Sequence, residues 1–439
     1  MNYEETIEYL YAMLPVFHRD GAKAFKPNFN NTLALCEHLG NPQTKFKTIH
    51  IAGTNGKGST SHYMASILQS AGYKTGLYTS PHLKDYSERF RIDGESIEKA
   101  KVIAFVEENR SIIETLKPSF FELSVALAFD FFAKQKVDVA VIEVGLGGRL
   151  DSTNIIQPDL SIITNIGFDH MDVLGDTLPK IAFEKAGIIK PNIPVVISER
   201  NEETSPVFIK QAVEQNAPIF FAEDNYLVKE NNSSGVENLS LVVDVFDKEG
   251  DLIFGEVTSQ LIGIYQLKNL TGIFQAVKVL KDLGYEISDE ALRKGIAKVV
   301  SLTGLKGRWQ VLYQNPLTIC DTGHNEHGLK IVLSQIDKLF SNGFIKGQKH
   351  FILGFVKDKN VEEILELFPK DANYYFCQAN SPRSMAAENL IKIAESIQIS
   401  GYSILSVNEA LKKVTEIASK DDFIYIGGST FVVAELNEL

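Results

Sequence analysis

The sequence predicts an α/β protein with mostly parallel sheets, divided into two domains. Short, continuous apolar runs alternate with longer helical patterns, which is typical of parallel strands covered by helices on both faces. The first run ends abruptly in a glycine-rich stretch, and the alternation restarts after a loop near residue 301. With 439 residues the chain is long enough for two or three domains of about 150 residues each.

The first domain is predicted to span residues 1–300. Its parallel strands are expected at Thr48–Ala52, Val137–Val144, Leu160–Thr164 and Val195–Ser198. Helical patterns cover 58–73 and 121–135, and the second is apolar on nearly every side, which places it in the core. From 217 to 261 short alternating stretches flank a polar loop, which predicts antiparallel strands at the edge of the domain.

The second, smaller domain is predicted to span residues 301–439. The loop 301–308 contains two glycines and marks the boundary. Strands are expected at Leu317–Cys320, His350–Leu353, Tyr374–Cys377 and Phe423–Ile426, and a helix is expected after each. This alternation predicts a second α/β layer structure.

Composition and charge argue against several classes of protein. Lys and Arg number 44 and Asp and Glu 56, so the net charge of −12 argues against nucleic acid or an anionic membrane as the main partner. No apolar run reaches the roughly 18 residues that span a bilayer, and the acidic N-terminal segment is unlike a signal peptide. Cys36, Cys320 and Cys377 lack metal or redox spacing, which predicts reduced, buried thiols. We therefore expect a cytoplasmic protein.

The stretch GTNGKGST, from Gly53 to Thr60, predicts a phosphate-binding loop. It follows an apolar run and precedes a helical pattern, which is the context that such a loop requires. Its glycines let backbone N–H groups approach an anion, and Lys57 would hold the β- and γ-phosphates of a nucleotide. Gly58 stands where phosphate loops usually carry Ser or Thr, so a hydroxyl ligand for Mg²⁺ must come from Ser59, Thr60 or elsewhere. A glycine-rich turn without a ligand is the alternative.

Three further strand ends are expected to carry metal ligands toward this loop. Ser80, Glu143 and His170 lie at or just beyond the ends of apolar runs, and ligands of open α/β sheets gather at the carboxyl ends of strands. Oxygen ligands suit Mg²⁺, and a histidine is tolerated beside them. Taken singly, each residue has an ordinary alternative: Ser80 could cap a turn, Glu143 could cap a helix, and His170 could bond to Asp172.

An ordered set of motifs extends from residue 53 to residue 430. It comprises GTNGKGST, TSPHL, FFELSVALAF, EVGLGGRLDSTN, TNIGFDHMDVLG, EKAGIIK, YQLKNL, GRW, DTGHN and GGST. In this order the motifs resemble those of folylpolyglutamate synthases of the bacterial type that are also dihydrofolate synthases, within the Mur-type amide ligases. The resemblance implies a P-loop ATPase domain and a smaller Rossmann-like domain, with the active site in the cleft between them. Tyr265 departs from the pattern, since the family usually has histidine there.

The resemblance implies roles for four groups of residues. The ATP-binding group is Gly53, Thr54, Asn55, Gly56, Lys57, Gly58, Ser59, Thr60, Asn269, Arg308 and Asp321. The metal group, for two Mg²⁺ ions, is Ser80, Glu143 and His170. The catalytic group is Lys57, Lys185, His324, which also matches a nucleotide contact, and Ser429, which lies near the incoming glutamate. The group that lines the folate or dihydropteroate site is Ser119, Phe120, Phe121, Glu122, Leu150, Asp151 and Ser152.

The resemblance also implies that Lys185 is carboxylated by CO₂ to N6-carboxylysine. Its apolar neighbours would favour the neutral amine that this reaction needs. From the residues alone, an ion pair with Glu184 is the alternative. In the same way, Asp321 could be the N-cap of the helix that follows it, and Phe120 and Phe121 could belong to the core.

The implied reaction joins L-glutamate to a folate or dihydropteroate carboxylate in an ATP-dependent amide synthesis. The carboxylate attacks the γ-phosphate of ATP to give an acyl phosphate, the amine of glutamate attacks that carbonyl, and ADP and phosphate are released. The implied cofactor is Mg²⁺, the implied partners are small molecules, and the family favours monomers. A Mur-type ligase for a cell-wall precursor and a non-catalytic ATP-binding sensor are the alternatives. TSPHL and FFELSVALAF argue against the first, and Lys57, Glu143 and His170 argue against the second.

Overall fold

The computed structural model describes residues 1–16, 19, 21, 26–235 and 239–439. This part of the chain forms two compact units. The first consists of Met1–Ser233, Val242–Gln260 and Gln266–Gly304, and the second of Ser234–Leu241, Leu261–Tyr265 and Leu305–Leu439. Each unit contains a largely parallel sheet, as the sequence predicts.

The sheet of the first unit has eight strands in the order β4-β3-β2-β5-β1-β6-β7-β8. These strands are β1 Lys47–Ala52, β2 Thr75–Tyr78, β3 Phe90–Ile92, β4 Glu95–Ser96, β5 Val139–Glu143, β6 Leu160–Ile163, β7 Val195–Ile197 and β8 Ile219–Phe221. All pairings from β2 to β8 in this order are parallel, and β3 and β4 add an antiparallel edge. The four predicted strands are confirmed as β1, β5, β6 and β7. Strands β2, β3, β4 and β8, which are two to four residues long, were not among the predicted strands.

The register of the central strands sets the level at which functional residues leave the sheet. Strand β1 lies between β5 and β6, with Ile51 opposite Glu143 and Ala52 opposite Ile163. The residues that follow Ala52 therefore emerge beside the Glu143 carboxylate. All five residues of β5 are buried, and Glu143 is the one charged residue among them. A buried carboxylate at a strand end is the kind of group that functional sites carry.

Helices cover the sheet of the first unit. They are α1 Tyr3–Met13, α2 Asn30–His38, α3 Lys57–Ser70, α4 Lys99–Glu108, α5 Arg110–Leu116, α6 Phe120–Gln135, α7 Met171–Leu174, α8 Leu178–Ala186, α9 Ser205–Glu214, α10 Gln266–Asp282, α11 Asp289–Ala297 and α12 Val299–Thr303. Helix α6 is buried along most of its length, as its apolar sequence predicts. Phe129 and Phe132 of this helix are fully buried and anchor it in the core.

A small antiparallel sheet confirms the change of pattern after residue 217. Its strands are β9 Tyr226–Glu230, β10 Leu241–Asp247 and β11 Leu252–Ser259, in the order β11-β10-β9. Strand β10 lies in the middle and is the most buried of the three. The outer strands are largely exposed on one face, which explains their alternating sequences.

The second unit has a six-stranded sheet in the order β12-β13-β17-β14-β15-β16. Its strands are β12 Gln310–Gln314, β13 Leu317–Cys320, β14 Lys349–Leu353, β15 Asn373–Phe376, β16 Gly401–Ser403 and β17 Phe423–Gly427. Its helices are α13 Glu326–Ser341, α14 Val361–Leu365, α15 Ala387–Ser396, α16 Val407–Ile417 and α17 Thr430–Glu435. The four predicted strands are confirmed as β13, β14, β15 and β17. The edge strands β12 and β16 escaped prediction because both are partly exposed and carry polar residues.

The cysteines confirm the prediction of buried thiols. Cys36, Cys320 and Cys377 are free and buried. Burial raises the pKa of the Cys36 and Cys377 thiols to about 12, so these thiols stay protonated near neutral pH. Among the described residues, no helix has the length and apolar character needed to cross a bilayer.

Candidate active site

The predicted phosphate loop joins strand β1 to helix α3. Gly56 is the N-cap of α3 in the left-handed region, with φ of 86°, and Lys57 is the first helical residue. The loop is held against the segment after β6. The N–H groups of Thr54 and Asn55 donate to the backbone and side-chain oxygens of Asn165, both at 2.8 Å. Thr164 Oγ1 donates to the carbonyl of Asn55 at 2.6 Å. The loop conformation is therefore set by hydrogen bonds to the loop of a neighbouring strand.

Two glycines of the loop are required by close contacts. A Cβ atom at Gly53 would lie 1.8 Å from Thr164 Oγ1, and one at Gly56 would lie 2.3 Å from Asn269 Oδ1. Asn269 comes from helix α10, so α10 packs directly on the loop. Because Gly53 and Gly56 carry no side chain, the loop backbone can lie this close to its neighbours, and a glycine-rich loop at a helix N-terminus is suited to bind a phosphate.

Replacing Gly56 by alanine is expected to weaken Mg²⁺-ATP binding by about tenfold or more, which corresponds to about 1.4 kcal/mol. The added methyl group would displace the Asn269 amide, and alanine at positive φ is strained. Calorimetric titration with Mg²⁺-ATP measures the change. Gly72→Ala is the matched control, because Gly72 follows α3 with φ of 93° and has nothing within 4 Å of its Cβ position. Equal loss of affinity in both variants would show that backbone strain alone is responsible.

Two lysine ammonium groups converge on one carbonyl of this loop. Lys57 Nζ donates to the carbonyl of Gly53 at 2.9 Å and to that of Thr54 at 3.1 Å. Lys185 Nζ, from helix α8, donates to the same Gly53 carbonyl at 2.9 Å. Burial, and secondarily the charge of Lys57, lower the pKa of Lys185 to about 7. A large share of this buried amine is therefore neutral near physiological pH.

The alternative of a Lys185–Glu184 ion pair is wrong. The carboxylate of Glu184 pairs instead with Arg149 at 2.9 Å. Lys185 points into the protein and is 4 % exposed. A buried lysine with a lowered pKa is the state from which reaction with CO₂ is feasible.

The predicted metal ligands lie on three different loops beyond strand ends. The backbone N–H of Ser80 donates to Glu143 Oε2 at 3.2 Å, so the segment after β2 meets the end of β5. His170 is the N-cap of α7 in the left-handed region, with φ of 49°. The carboxylate beside its ring is that of Asp169, 3.9 Å from Nε2. No group of three or more His, Cys, Asp or Glu residues with metal-binding geometry occurs among the described residues, and the predicted set has only two such residues.

The residues predicted to line the folate site differ in their structural environment. Ser119 and Glu122 form a capping box at the start of α6, so both support the helix. Phe120 is packed between Tyr11 and Tyr86, with ring centroids 4.9 Å away on each side. Phe121 is half-buried and its ring lies where a Cβ atom of Gly145 would stand, 2.4 Å away. Phe120 therefore belongs to the core, whereas Phe121 is packed against the core with its side chain only partly covered.

Asp151 organises the glycine loop that follows β5. Its Oδ2 accepts from the N–H groups of Gly145 and Leu146 at 3.1 and 2.9 Å, and its Oδ1 accepts from Thr153. Burial raises the pKa of this carboxyl group. The neighbouring Leu150 is half-buried and Ser152 is 8 % exposed. Asp151 thus holds the backbone of this predicted substrate segment in place.

In the second unit, Asp321 follows strand β13 and is 3 % exposed. Its Oδ2 accepts from the Tyr265 hydroxyl at 2.7 Å and from the Trp309 N–H at 2.6 Å, and its Oδ1 accepts from the Gly323 N–H at 2.7 Å. Burial raises the pKa of this carboxyl group. The alternative of Asp321 as a helix N-cap is wrong, because the N-cap of α13 is Asn325.

The remaining predicted residues of the second unit surround the same loop or cap the last helix. Arg308 donates to the hydroxyl of Thr322, and His324 Nδ1 lies 3.0 Å from the carbonyl of Thr322. Ser429 is the N-cap of α17, where its hydroxyl accepts from the Phe431 N–H at 3.2 Å. Its side chain is buried at the carboxyl end of β17, next to β13 in the sheet.

Sequence reasoning missed three residues that shape the loop. Thr164 and Asn165 hold it from the end of β6, and Gln266, at the start of α10, contacts both Ser59 and Asn269. Thr164 and Asn165 belong to the TNIGFDH motif, so their position at the end of a predicted strand and just beyond it was an available signal. Gln266 stands in the YQLKNL motif, but nothing in its spacing indicates its partners.

The chain is similar to known ligases along nearly its whole length. The Mur ligase middle domain matches residues 51–277, and the Mur ligase glutamate ligase domain matches residues 307–430. The chain is 32 % identical to the dihydrofolate synthase/folylpolyglutamate synthase of Bacillus subtilis, covering 94 % of this chain and 95 % of that one.

Solved structures agree with this similarity. Escherichia coli FolC in complex with DHPP and ADP has a TM-score of 0.85 and 27 % identity, covering 99 % of this chain and 96 % of that chain. A bifunctional folylpolyglutamate synthase/dihydrofolate synthase with Mn, AMPPNP and L-glutamate bound has a TM-score of 0.80 and 26 % identity, covering 99 % and 97 %. The chain therefore belongs to the dihydrofolate synthase/folylpolyglutamate synthase family of Mur-type ligases.

Proposed function

We propose that the chain is an ATP-dependent ligase that joins the amine of L-glutamate to the carboxylate of a folate or of dihydropteroate. The observation that carries this proposal is the convergence of Lys57 and Lys185 on the Gly53 carbonyl, in a chain of this family. The ligase is ADP-forming, and the carboxylate is activated as an acyl phosphate. Because a carboxylate and an amine do not condense unaided near neutral pH, transfer of the γ-phosphoryl group supplies the leaving group.

The chain contributes positioning and charge stabilisation to this reaction. Lys57, at the first turn of α3, would donate to the β- and γ-phosphates, beside backbone N–H groups at the positive end of the helix dipole. Arg308 offers a planar set of donors for phosphate oxygens. None of the described cysteines is exposed, so the carboxylate attacks the phosphate directly in this proposal.

Ser80, Glu143 and His170 would hold Mg²⁺, as two ions. Ser80 lies close to Glu143, as two ligands of one ion would. A hydroxyl, a carboxylate and an imidazole suit a hard cation that keeps several water ligands. When bound, Mg²⁺ would neutralise charge on the phosphate groups. The use of a divalent metal and a nucleotide agrees with the Mn- and AMPPNP-bound relative.

Lys185 would carry a carbamate in the active protein. The lone pair of the neutral Nζ attacks the carbon of CO₂ to form an N–C bond. One C=O π bond breaks with its electron pair moving to oxygen, and one Nζ proton leaves to solvent. The product replaces a buried cation beside Lys57 by an anion, which removes the repulsion between the two ammonium groups. The negative carbamate would then attract the positive ammonium group of Lys57 and help to hold it in place.

The other predicted residues would bind the substrates. Phe121 would stack on the pterin ring, next to the loop that Asp151 holds. Asp321 would accept from ribose hydroxyls through Oδ1, His324 would contact the nucleotide, and Ser429 would lie near the incoming glutamate. We further propose that the protein is a monomer. We also propose that it is cytoplasmic, because buried free thiols suit a reducing compartment.

The test of this proposal is ADP release by the purified protein with Mg²⁺-ATP and L-glutamate. Dihydropteroate is the acceptor in one reaction and tetrahydrofolate in the other, and products are identified by mass. Turnover with both acceptors is expected. Turnover with one acceptor would assign a single activity. Turnover with neither, together with turnover on a cell-wall precursor, would overturn the folate assignment, and ATP binding without any amide product would favour a sensor.

A further inference from the structure

Gln266 is a fully buried amide whose two ends both contact residues of the phosphate loop region. It is the first residue of helix α10 and is 0 % exposed. Its Nε2 donates to Ser59 Oγ at 3.2 Å, and its Oε1 accepts from Asn269 Nδ2 at 2.8 Å. No predicted role attaches to this residue. A buried amide with both groups paired is costly to disturb, because each partner would lose its bond in a site without water to replace it.

The orientation of this amide follows from its neighbours. Asn269 Oδ1 faces Gly56, close enough to occupy the space of a missing Cβ atom, so its Nδ2 must face away from the loop. That nitrogen can bond only to an acceptor, which makes the facing atom Gln266 Oε1. Gln266 therefore presents its Nε2 to Ser59, and the Ser59 hydroxyl accepts.

An accepting hydroxyl keeps its own hydrogen for another partner. Ser59 is the third residue of α3, one turn into the end where backbone N–H groups would face a phosphate. The only hydrogen bond of its side chain among the described residues is the one it accepts from Gln266. Because the Gln266 amide occupies one lone pair of Oγ, the hydroxyl is better suited to donate to an anionic oxygen than to bind a metal ion.

We propose that Gln266 is a positioning residue of the nucleotide site: it holds Asn269 over the loop and makes Ser59 a hydrogen-bond donor to a phosphate oxygen of a nucleoside triphosphate. This inference rests on the proposed function, since it names the group that recognises the ATP of that reaction. It also explains why Gly58 is tolerated where phosphate loops carry a hydroxyl. The hydroxyl one residue later serves the phosphate, and the metal is left to residues on other loops.

Gln266→Met and Gln266→Glu separate the two parts of this arrangement. Methionine keeps the volume and removes both hydrogen bonds. Glutamate keeps the acceptor for Asn269 but accepts from the Ser59 hydroxyl, so the hydroxyl hydrogen turns away from the phosphate. We expect both variants to weaken binding of Mg²⁺-ATP by about tenfold, and to raise KM for ATP by a similar factor without a change in KM for L-glutamate.

Gln275→Met is the matched control. Gln275 lies on the same helix, is 3 % exposed, and uses its Oε1 to hold Asn225 at 2.8 Å, away from the phosphate loop. We expect this variant to lower the unfolding midpoint about as much as Gln266→Met while leaving the affinity for Mg²⁺-ATP unchanged. A merely structural role of Gln266 would instead make the two variants behave alike.

Calorimetric titration with Mg²⁺-ATP, without folate or glutamate, measures the affinity, and a double-mutant series completes the test. In a Ser59→Ala, Asn269→Ala background, Gln266→Glu is expected to change the affinity less than about twofold, because its partners are gone.

Unchanged affinity in both single Gln266 variants would overturn the inference and leave the proposed function intact. Failure of the wild-type protein to bind Mg²⁺-ATP would overturn both. If Gln266→Met does not fold, Gln266→Glu with its double-mutant background decides the question.

Discussion

Replacing Lys57 by methionine is expected to lower kcat/KM for ATP by about a thousandfold. Lys57 is the cation at the first turn of α3, with its ammonium 2.9 Å from the Gly53 carbonyl. It would neutralise charge that develops on the transferred phosphoryl group, and methionine has similar length but no charge. Initial rates of ADP release over a range of ATP concentrations measure the effect.

Two controls separate this loss from misfolding. Lys278→Met removes an exposed lysine that pairs with Asp282 at 2.6 Å on helix α10, and we expect less than about a twofold change in rate. The unfolding midpoint of Lys57→Met should stay close to that of the wild type, because methionine keeps the length of the side chain and removes a partly buried charge. Retention of kcat/KM within about tenfold of the wild type would contradict the role given to Lys57.

Replacing Lys185 is expected to abolish most of the activity but to raise the free energy of unfolding. Lys185→Arg keeps a cation but cannot form a carbamate, so we expect kcat to fall by about a hundredfold or more. In Lys185→Ala, added acetate is expected to restore part of the rate by supplying a carboxylate in the vacated space. Full activity of Lys185→Arg would exclude the carbamate as a functional group.

The stability effect follows from the lowered pKa of Lys185, which is about 7 in the folded protein against an ordinary 10.5. Between these values the unfolded chain holds a proton that the folded chain lacks, so wild-type stability rises with pH across this window. Below pH 7 both states are protonated and burial of the charge is fully unfavourable. Lys185→Met lacks this penalty.

Lys185→Met should therefore exceed the wild type in free energy of unfolding most strongly below pH 7. The advantage should shrink as pH rises toward 10.5. Denaturant titrations in CO₂-depleted buffer at several pH values measure this difference. A gain that is independent of pH would show that Lys185 has an ordinary pKa in the folded protein.

Several features were readable from the sequence because their causes are local. Continuous apolar runs identified β1, β5, β6 and β7, since central parallel strands are buried on both faces. The phosphate loop was readable because positive φ and close contacts at Gly53 and Gly56 tolerate only glycine. The strand-end position of Glu143 followed from the end of its apolar run.

The different environments of adjacent residues could be determined only from the three-dimensional structure. Phe120 and Phe121 have the same local sequence, yet Phe120 packs between two tyrosine rings and Phe121 reaches the glycine loop after β5. Likewise Lys185 and Glu184 are neighbours, but a helix turns their side chains in different directions, one to Gly53 and the other to Arg149. Helical geometry explains the divergence, and only the packing of α8 says which side is buried.

The sequence by itself therefore determined the buried central strands, the glycine loop and the family, because apolar runs and individual motifs each depend on residues close together in the chain. The tertiary structure decided which distant groups meet. Gln266 reaches Ser59 across 207 positions of sequence, and Lys185 reaches Gly53 across 132. Such contacts depend on how helices pack on the sheet, and the pKa of Lys185 depends on the burial and the neighbouring charge that this packing creates.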